Sequence, residues 1–176
     1  LDGFRILAPG LKSCTNCATN DIESVADSRQ PPYSSGVFSF GAGGNGTRFM
    51  LAGWSSPEQV GTWSQEESAT LNIELPIPQD RKLLLQVGGH AFVSDKYPTQ
   101  EIKVTINGRS AGTLKYDIAS PNGVRTVQLP TGIDYRHQLS IRFDIKRPVS
   151  PAELNLSADS RRLGLNLETI EATSRR

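Results

Sequence analysis

The sequence has little of several residue types on which common functions depend. Its 176 residues include two cysteines, two histidines and one methionine. No apolar run approaches the roughly 20 residues needed to cross a bilayer, so no direct membrane insertion is expected of this segment. Lysine and arginine number 19 against 18 for aspartate and glutamate, a formal net charge of +1. This balance gives no electrostatic reason to expect a nucleic-acid partner.

The two cysteines, Cys14 and Cys17, are separated by two residues. A redox-active pair requires a strand before it and a helix after it, but the segment that follows Cys17 is polar and ends in Pro31 and Pro32. A zinc site requires two more ligands, and both histidines lie far away in predicted strands. We predict a small-loop disulfide between Cys14 and Cys17 in an oxidising compartment, with two free thiols as the alternative. No metal or other cofactor is predicted.

Catalytic motifs are also scarce. His90 and His137 lie in predicted strands, and no Gly-x-Ser-x-Gly motif is present. The glycine-rich residues 41–46 lack the lysine of a phosphate-binding loop and precede no amphipathic helix. The sequence does not decide whether the chain has the paired carboxylates of a glycosidase, because the two members of such a pair are brought together by the fold and need not be close in sequence. No catalytic residue is therefore predicted.

Turn-forming residues are abundant, with sixteen glycines and eleven prolines, and no segment sustains a helical period. Residues 1–35 are polar and turn-rich, and are predicted to form an irregular N-terminal arm or linker. Residues 36–176 are predicted to form one β-sandwich domain. Short runs typical of strands cover residues 36–40, 48–52, 69–75, 83–93, 101–106, 109–114, 124–129, 138–146 and 163–170.

Three details indicate how these strands are arranged. Residues 138–146 alternate strictly between polar and apolar side chains, which is typical of a half-buried antiparallel strand. Asn107 and Gly108 separate two such runs and predict a type I′ hairpin, because both turn positions need positive φ. Gly88 and Gly89 interrupt an apolar run and suit a bulge. The prediction is an all-β fold of eight or nine strands, an antiparallel β-sandwich that is jelly-roll-like.

Both tryptophans, Trp54 and Trp63, lie in residues 53–64 among glycine, serine and proline, with one carboxylate at Glu58. A tryptophan in such a loop either closes one end of a hydrophobic core or presents a flat ring to a ligand, and a sugar ring suits an indole face. The sequence alone leaves both alternatives open.

Residues 150–164 place Asp159 and Arg161 just before the last predicted strand. A carboxylate and a guanidinium both make directional bonds to a polyhydroxyl or charged ligand. The favoured alternative is that Arg161 pairs with a carboxylate such as Glu58 and clamps two loops together. The candidate ligand-binding residues are thus Trp54, Glu58, Trp63, Asp159 and Arg161.

Several motifs over residues 36–172 together carry a resemblance to a known family. They are Gly53-Trp54-Ser55, Glu58, Gly61-x-Trp63-Ser64, the Asn107-Gly108 hairpin, Ser150-Pro151 and Asp159-x-Arg161-x-Leu163-Gly164. The region resembles the C-terminal periplasmic β-sandwich accessory domain of bacterial phosphoglycerol transferases and of some glycosyltransferases of envelope and surface polysaccharides.

This resemblance implies a carbohydrate-binding-module-like domain without catalytic activity of its own. Its expected location is extracytoplasmic, in the bacterial periplasm or cell envelope. The expected partners are a polysaccharide or oligosaccharide and the catalytic domain of a parent transferase. The alternatives are a purely structural or interaction domain that packs on a catalytic partner and, less favoured, a glycan hydrolase.

Overall fold

The computed structural model describes residues 34–78, 82–135 and 138–174, and nearly all regular structure in these ranges is β. The strands are β1 (Phe38–Ser39), β2 (Thr62–Trp63), β3 (Ser68–Ile73), β4 (Leu83–Ala91), β5 (Thr99–Ile106), β6 (Arg109–Asp117), β7 (Asn122–Gln128), β8 (Leu139–Ile145) and β9 (Leu165–Ser174). Two single-turn 3-10 helices span Thr47–Phe49 and Ala152–Leu154. Among the described residues, no helix has the length and hydropathy needed to traverse a bilayer.

The strands pair like one long hairpin that has been rolled up. The nested antiparallel pairs are β5 with β6, β4 with β7, β3 with β8, and β2 with β9. Rolling the hairpin adds the pairs β4 with β9 and β5 with β8. The result is two sheets: sheet A, in which β1 and β2 flank β9, followed by β4 and β7, and sheet B, in the order β3-β8-β5-β6. This connectivity is a jelly roll, so the predicted fold class is confirmed.

Alternating side chains build the core between the sheets. In β8, Leu139, Ile141, Phe143 and Ile145 are buried while the residues between them are more exposed, as the sequence pattern predicts. Leu71 and Ile73 of β3 pair with the same buried positions of β8. Because side chains in a strand point alternately to opposite faces, each sheet turns one apolar face inward and one polar face to solvent.

Both predicted glycine features are present. Asn107 and Gly108 have φ angles of 47° and 78° and connect β5 to β6, which confirms the type of turn expected. The register between β4 and β9 shifts at Gly88 and Gly89, because Gly88 pairs with Thr169 and Gly89 with Leu167. Glu168 is therefore the extra residue of a β-bulge on β9.

Two local predictions around the tryptophans were wrong. Residues 48–52 were predicted as a strand, but Phe49 and Met50 donate their backbone N–H groups to Gly46 and Thr47, which closes a 3-10 turn. The end of this segment lies along β3 without forming a regular strand: Met50 bridges Leu71, Leu51 donates its N–H to Thr70, and Thr70 donates to Ala52. Conversely, the sequence predicts a loop around Trp63, but Thr62–Trp63 forms the short strand β2. It does so because β9 offers an unpaired edge at this point.

The predicted disulfide of Cys14 and Cys17 lies outside the described residues. The division of the chain into residues 1–35 and 36–176 likewise stays a prediction. Within the described part, Ser34 already forms a bridge with Thr173 of β9, and the backbone N–H of Ser35 donates to Ala172.

Gly53 and Gly43 offer a matched test of close packing beside the core. Both have positive φ, 83° and 77°. A Cβ on Gly53 would overlap the carbonyl oxygen of Ser68, whereas a Cβ on Gly43 would have nothing within 4 Å. We expect Gly43→Ala to lower the free energy of unfolding by about 1–2 kcal/mol through backbone strain alone. Gly53→Ala should cost about 1–3 kcal/mol more through the added overlap. Equal losses in urea unfolding would contradict this account.

Candidate functional site

Strand geometry sends the two tryptophans to opposite sides of the chain. Trp54 lies opposite Ser64 in an isolated bridge, so Trp63, one residue before Ser64, points the other way. Trp54 is 8% exposed, donates its Nε1–H to the carbonyl of Thr70 at 2.9 Å, and packs edge-on against Phe143. Trp54 therefore closes the core, and its ring offers no free face to a ligand.

Trp63 is only partly buried and begins a polar row across sheet A. It lies opposite Asn166 of β9, which lies opposite His90 of β4, which lies opposite Asn122 of β7. The Trp63 and His90 ring centroids are 4.7 Å apart at an interplanar angle of 86°. Phe92, just beyond β4, also meets the Trp63 ring edge-on, with the centroids 6.3 Å apart. The outer surface of the sheet thus carries an aromatic cluster at one end.

We call the outward-facing side of sheet A the A face. Its residues are Trp63, Leu84, Gln86, Gly88, His90, Asn122, Val124, Thr126, Gln128, Asn166, Glu168, Thr169, Glu171 and Thr173. Contacts across strands agree with this assignment: a Cβ on Gly88 would meet Thr169 and Val124, and Gln86 donates to Thr173. The four rows are separated by three spacings of about 7 Å each, which makes the A face roughly 20 Å long.

The bulge places a carboxylate beside the aromatic cluster. Glu168 Oε1 lies 3.0 Å from His90 Nδ1, and the two side chains are 33% and 37% exposed. Asn166 lies in the row between Trp63 and His90, is 3% exposed, and its Oδ1 has no hydrogen-bond partner. This end of the A face therefore combines an accessible indole with a carboxylate, an imidazole and an unsatisfied buried amide oxygen.

The other three predicted residues form one ion-pair cluster, which we call the clamp. Arg161 Nη1 donates to Glu58 Oε1 at 2.9 Å, and Nη2 donates to Asp159 Oδ2 at 2.7 Å. Its Nε also donates to both Asp159 oxygens at 3.1 Å. Glu58 lies in the turn before β2 and Arg161 lies just before β9. The clamp thus joins the two segments that carry Trp63 and Asn166, as the favoured sequence interpretation holds.

Asp159 and Arg161 stabilise each other's charged forms. Hydrogen bonds from the Arg161 side chain and backbone hold the pKa of Asp159 below its ordinary value, and the two carboxylates raise the pKa of Arg161. Each guanidinium nitrogen of Arg161 already bonds to a carboxylate. Arg161 therefore acts mainly to position the loops, and a ligand role for Glu58, Asp159 and Arg161 stays a prediction.

His90, Phe92, Asn166 and Glu168 were missing from the sequence-predicted site. The signal for two of them is present in the sequence: Asn166 lies between Leu165 and Leu167, and Glu168 follows Leu167, so both are polar positions of an alternating strand. What the sequence does not contain is the register that puts Trp63 and His90 on either side of Asn166. In the described ranges, no group of three or more His, Cys, Asp or Glu residues is arranged to hold a metal ion.

No protein-family model and no curated protein matches the sequence. Among solved structures, the CBM36-1 domain of a multidomain xylanase from the hindgut metagenome of Trinervitermes trinervoides is similar at 8% identity and a TM-score of 0.46, over 82% of this chain and 99% of that one. A carbohydrate-binding module CBM36 in complex with calcium and xylotriose is similar at 10% identity and a TM-score of 0.38, over 81% and 99%.

Dimeric latent PorU from Porphyromonas gingivalis is also similar, at 9% identity and a TM-score of 0.41, over 82% of this chain but 13% of that one. Identities and TM-scores this low carry no inference about ligands. What this chain binds therefore has to be inferred from residues on its own surface.

The clamp generates a prediction about acid stability. Because the pKa of Asp159 is lower in the folded state than its ordinary value of 3.8, its contribution is fully present above that value and is lost as pH falls through the folded pKa. We expect Asp159→Asn to be less stable than wild type at neutral pH, with the difference shrinking to nothing in strong acid. Urea unfolding over a pH series measures this difference. A gap that stays constant with pH would show that the ion pair is not its cause.

Proposed function

We propose that this chain is a non-catalytic glycan-binding accessory domain whose ligand lies along the A face, with Trp63 as the stacking platform. The observation that carries the proposal is the partly exposed Trp63 held beside His90 and Phe92 at one end of a sheet surface that is polar apart from Leu84 and Val124. A single exposed apolar side chain is common on protein surfaces, but contiguous apolar groups rimmed by polar residues mark binding sites, and Trp63 and Phe92 are such neighbours.

The chemistry of the A face suits a sugar polymer. An indole packs against the apolar C–H face of a pyranose and loses little conformational entropy on binding, because only two torsions have to be fixed. Gln86, Thr126, Glu168 and Thr169 offer donors and acceptors for ring hydroxyls along the strands. Strands rise about 3.3 Å per residue, which makes this surface roughly 20 Å long. That length accommodates several sugar units of an extended chain.

We further propose that the domain serves an enzyme that builds or modifies an envelope polysaccharide in an extracytoplasmic location. The support is the resemblance of residues 53–64 and 150–164 to the accessory domains of such transferases, and the predicted disulfide of Cys14 and Cys17. Ser34 and Ser174 both lie at the end of sheet A that is far from Trp63, where Ser34 bridges to Thr173 and Leu83 pairs with Ser174. A catalytic domain joined through either position would leave the aromatic cluster accessible.

A second candidate is a domain that only packs against a catalytic partner. The burial of Trp54 and the use of Arg161 in the clamp favour it, because both features stabilise the fold and neither requires a ligand. The two candidates differ in what they require of Trp63. A glycan-binding domain needs the Trp63 ring in order to bind a soluble sugar. A domain that only packs against a partner has no such requirement.

Replacing Trp63 tests the proposal directly. We expect Trp63→Ala to weaken binding to a responsive polysaccharide at least about tenfold, because stacking of this kind contributes on the order of 1.5 kcal/mol or more. Trp63→Phe should keep part of the affinity. Affinity gel electrophoresis against a panel of envelope polysaccharides identifies the ligand, and calorimetry measures the variants.

Ile118→Ala is the matched control, because Ile118 is a 50% exposed apolar residue at the end of sheet B. Its removal should leave glycan binding unchanged. The proposal is wrong if no polysaccharide retards the protein, or if Trp63→Ala binds as tightly as the Ile118→Ala control.

A further inference from the structure

The two sheets differ in the charge that they present to solvent. Arg125 is the only lysine or arginine within the five strands of sheet A. Sheet B, in contrast, directs Lys103, Lys115 and Arg142 outward from β5, β6 and β8, beside the carboxylates of Glu101 and Asp144. The whole chain is nearly neutral, so its composition does not explain this difference in surface charge. The difference arises because the charged residues fall in different strands and point to different faces.

Arg125 does not contribute its charge to the A face. Arg125 pairs with Val87, which faces the core, so the Arg125 side chain points to the opposite side of the sheet from the A face. From the edge strand β7 it extends towards β6 of the other sheet. Its guanidinium bonds to the carbonyls of Lys115 and Ser120 at 2.9 Å and lies 4.6 Å from the Tyr116 ring centre. The outward positions of the described sheet A strands therefore include no lysine or arginine.

The A face does carry two carboxylates. Glu168 is next to the aromatic cluster and touches His90, and Glu171 lies one row further along, where it accepts a hydrogen bond from Ser34. The clamp beside Trp63 adds two carboxylates for one guanidinium. On the described A face and in the clamp taken together, carboxylates therefore outnumber lysine and arginine side chains.

We infer that the A face selects glycans without negative charge, and binds sugars with a free amino group more tightly than their N-acetylated or acidic counterparts. The inference rests on the proposed function, because it assumes that a glycan lies on this face. A protonated amine near Glu168 forms a charge-assisted hydrogen bond. A uronate or phosphate at the same place is repelled and finds no lysine or arginine to pair with.

The experiment compares three soluble probes of similar length: de-N-acetylated glucosamine oligomers, N-acetylglucosamine oligomers and oligogalacturonate. Affinities are measured by calorimetry at mildly acidic pH, at which the sugar amine is protonated, and again near neutral pH, because a protonated His90 ring would compete with the amine for Glu168. We expect the amine-bearing oligomer to bind about fivefold more tightly than the N-acetylated one, the ratio that one solvent-exposed ion pair supports. The oligogalacturonate should bind most weakly, and added salt should reduce the differences.

Glu168→Gln should remove most of the preference for the amine while leaving the affinity for the N-acetylated oligomer within about twofold. Glu171→Gln, further from the aromatic cluster, should have a smaller effect in the same direction. Glu101→Gln is the matched control, because it removes one negative charge from the outer face of sheet B. Circular dichroism and thermal unfolding confirm that each variant is folded.

The possible results separate the two levels of the proposal. Preference for the amine that disappears in Glu168→Gln and persists in Glu101→Gln supports the inference. Binding of oligogalacturonate as tightly as the amine, or a preference unchanged in Glu168→Gln, overturns the inference and leaves the glycan-binding function standing. Failure of every probe and of the whole polysaccharide panel overturns the proposed function, and the inference falls with it.

Discussion

Strand β9 has to satisfy backbone hydrogen bonds along both of its edges, and most of the structure depends on this constraint. One edge pairs with β4 along nearly its whole length, and the other edge is shared by the short strands β1 and β2. An unpaired edge on a buried strand would leave donors and acceptors without partners. Pairing with β2 is what fixes Trp63 beside Asn166, and pairing with β4 is what brings His90 to the other side.

Much of the fold could be predicted from the sequence, because its strongest signals are local. Alternation in β8, the two residues of the β5–β6 turn and the glycine pair of β4 each follow from the conformational preferences of a few neighbouring residues. Residues 48–52 show where such reasoning fails. Their side chains suit a strand, but a 3-10 turn satisfies the N–H groups of Phe49 and Met50 through neighbours in sequence, and only Leu51 and Ala52 bond to Thr70 of β3. The two-residue β2 forms only because a distant strand offers an edge.

The site could be predicted in part. The pairing of Arg161 with Glu58 follows from the chemistry of buried and half-buried charge, which needs a partner wherever it lies. Which of Trp54 and Trp63 is buried could not be predicted, because both lie in similar sequence contexts. Only the bridge between Trp54 and Ser64 decides which ring faces inward. His90 and Glu168 meet through a bulge, and a shift of one residue would send one of them to the other face.

The nested pairing of the strands has a consequence for the order of folding. The β5–β6 hairpin closes through a two-residue turn, and each later pair closes a loop that the earlier pair has already shortened. Glu58 and Arg161 are 103 positions apart and join the segments that lead into β2 and β9, so their contact has a high entropic cost if it forms alone. We expect the aromatic end of sheet A to assemble late, after the pairs β5–β6, β4–β7 and β3–β8 have formed. A chain that has gained its surface for recognition has then already completed these inner pairings, so that largely unfolded molecules do not present it.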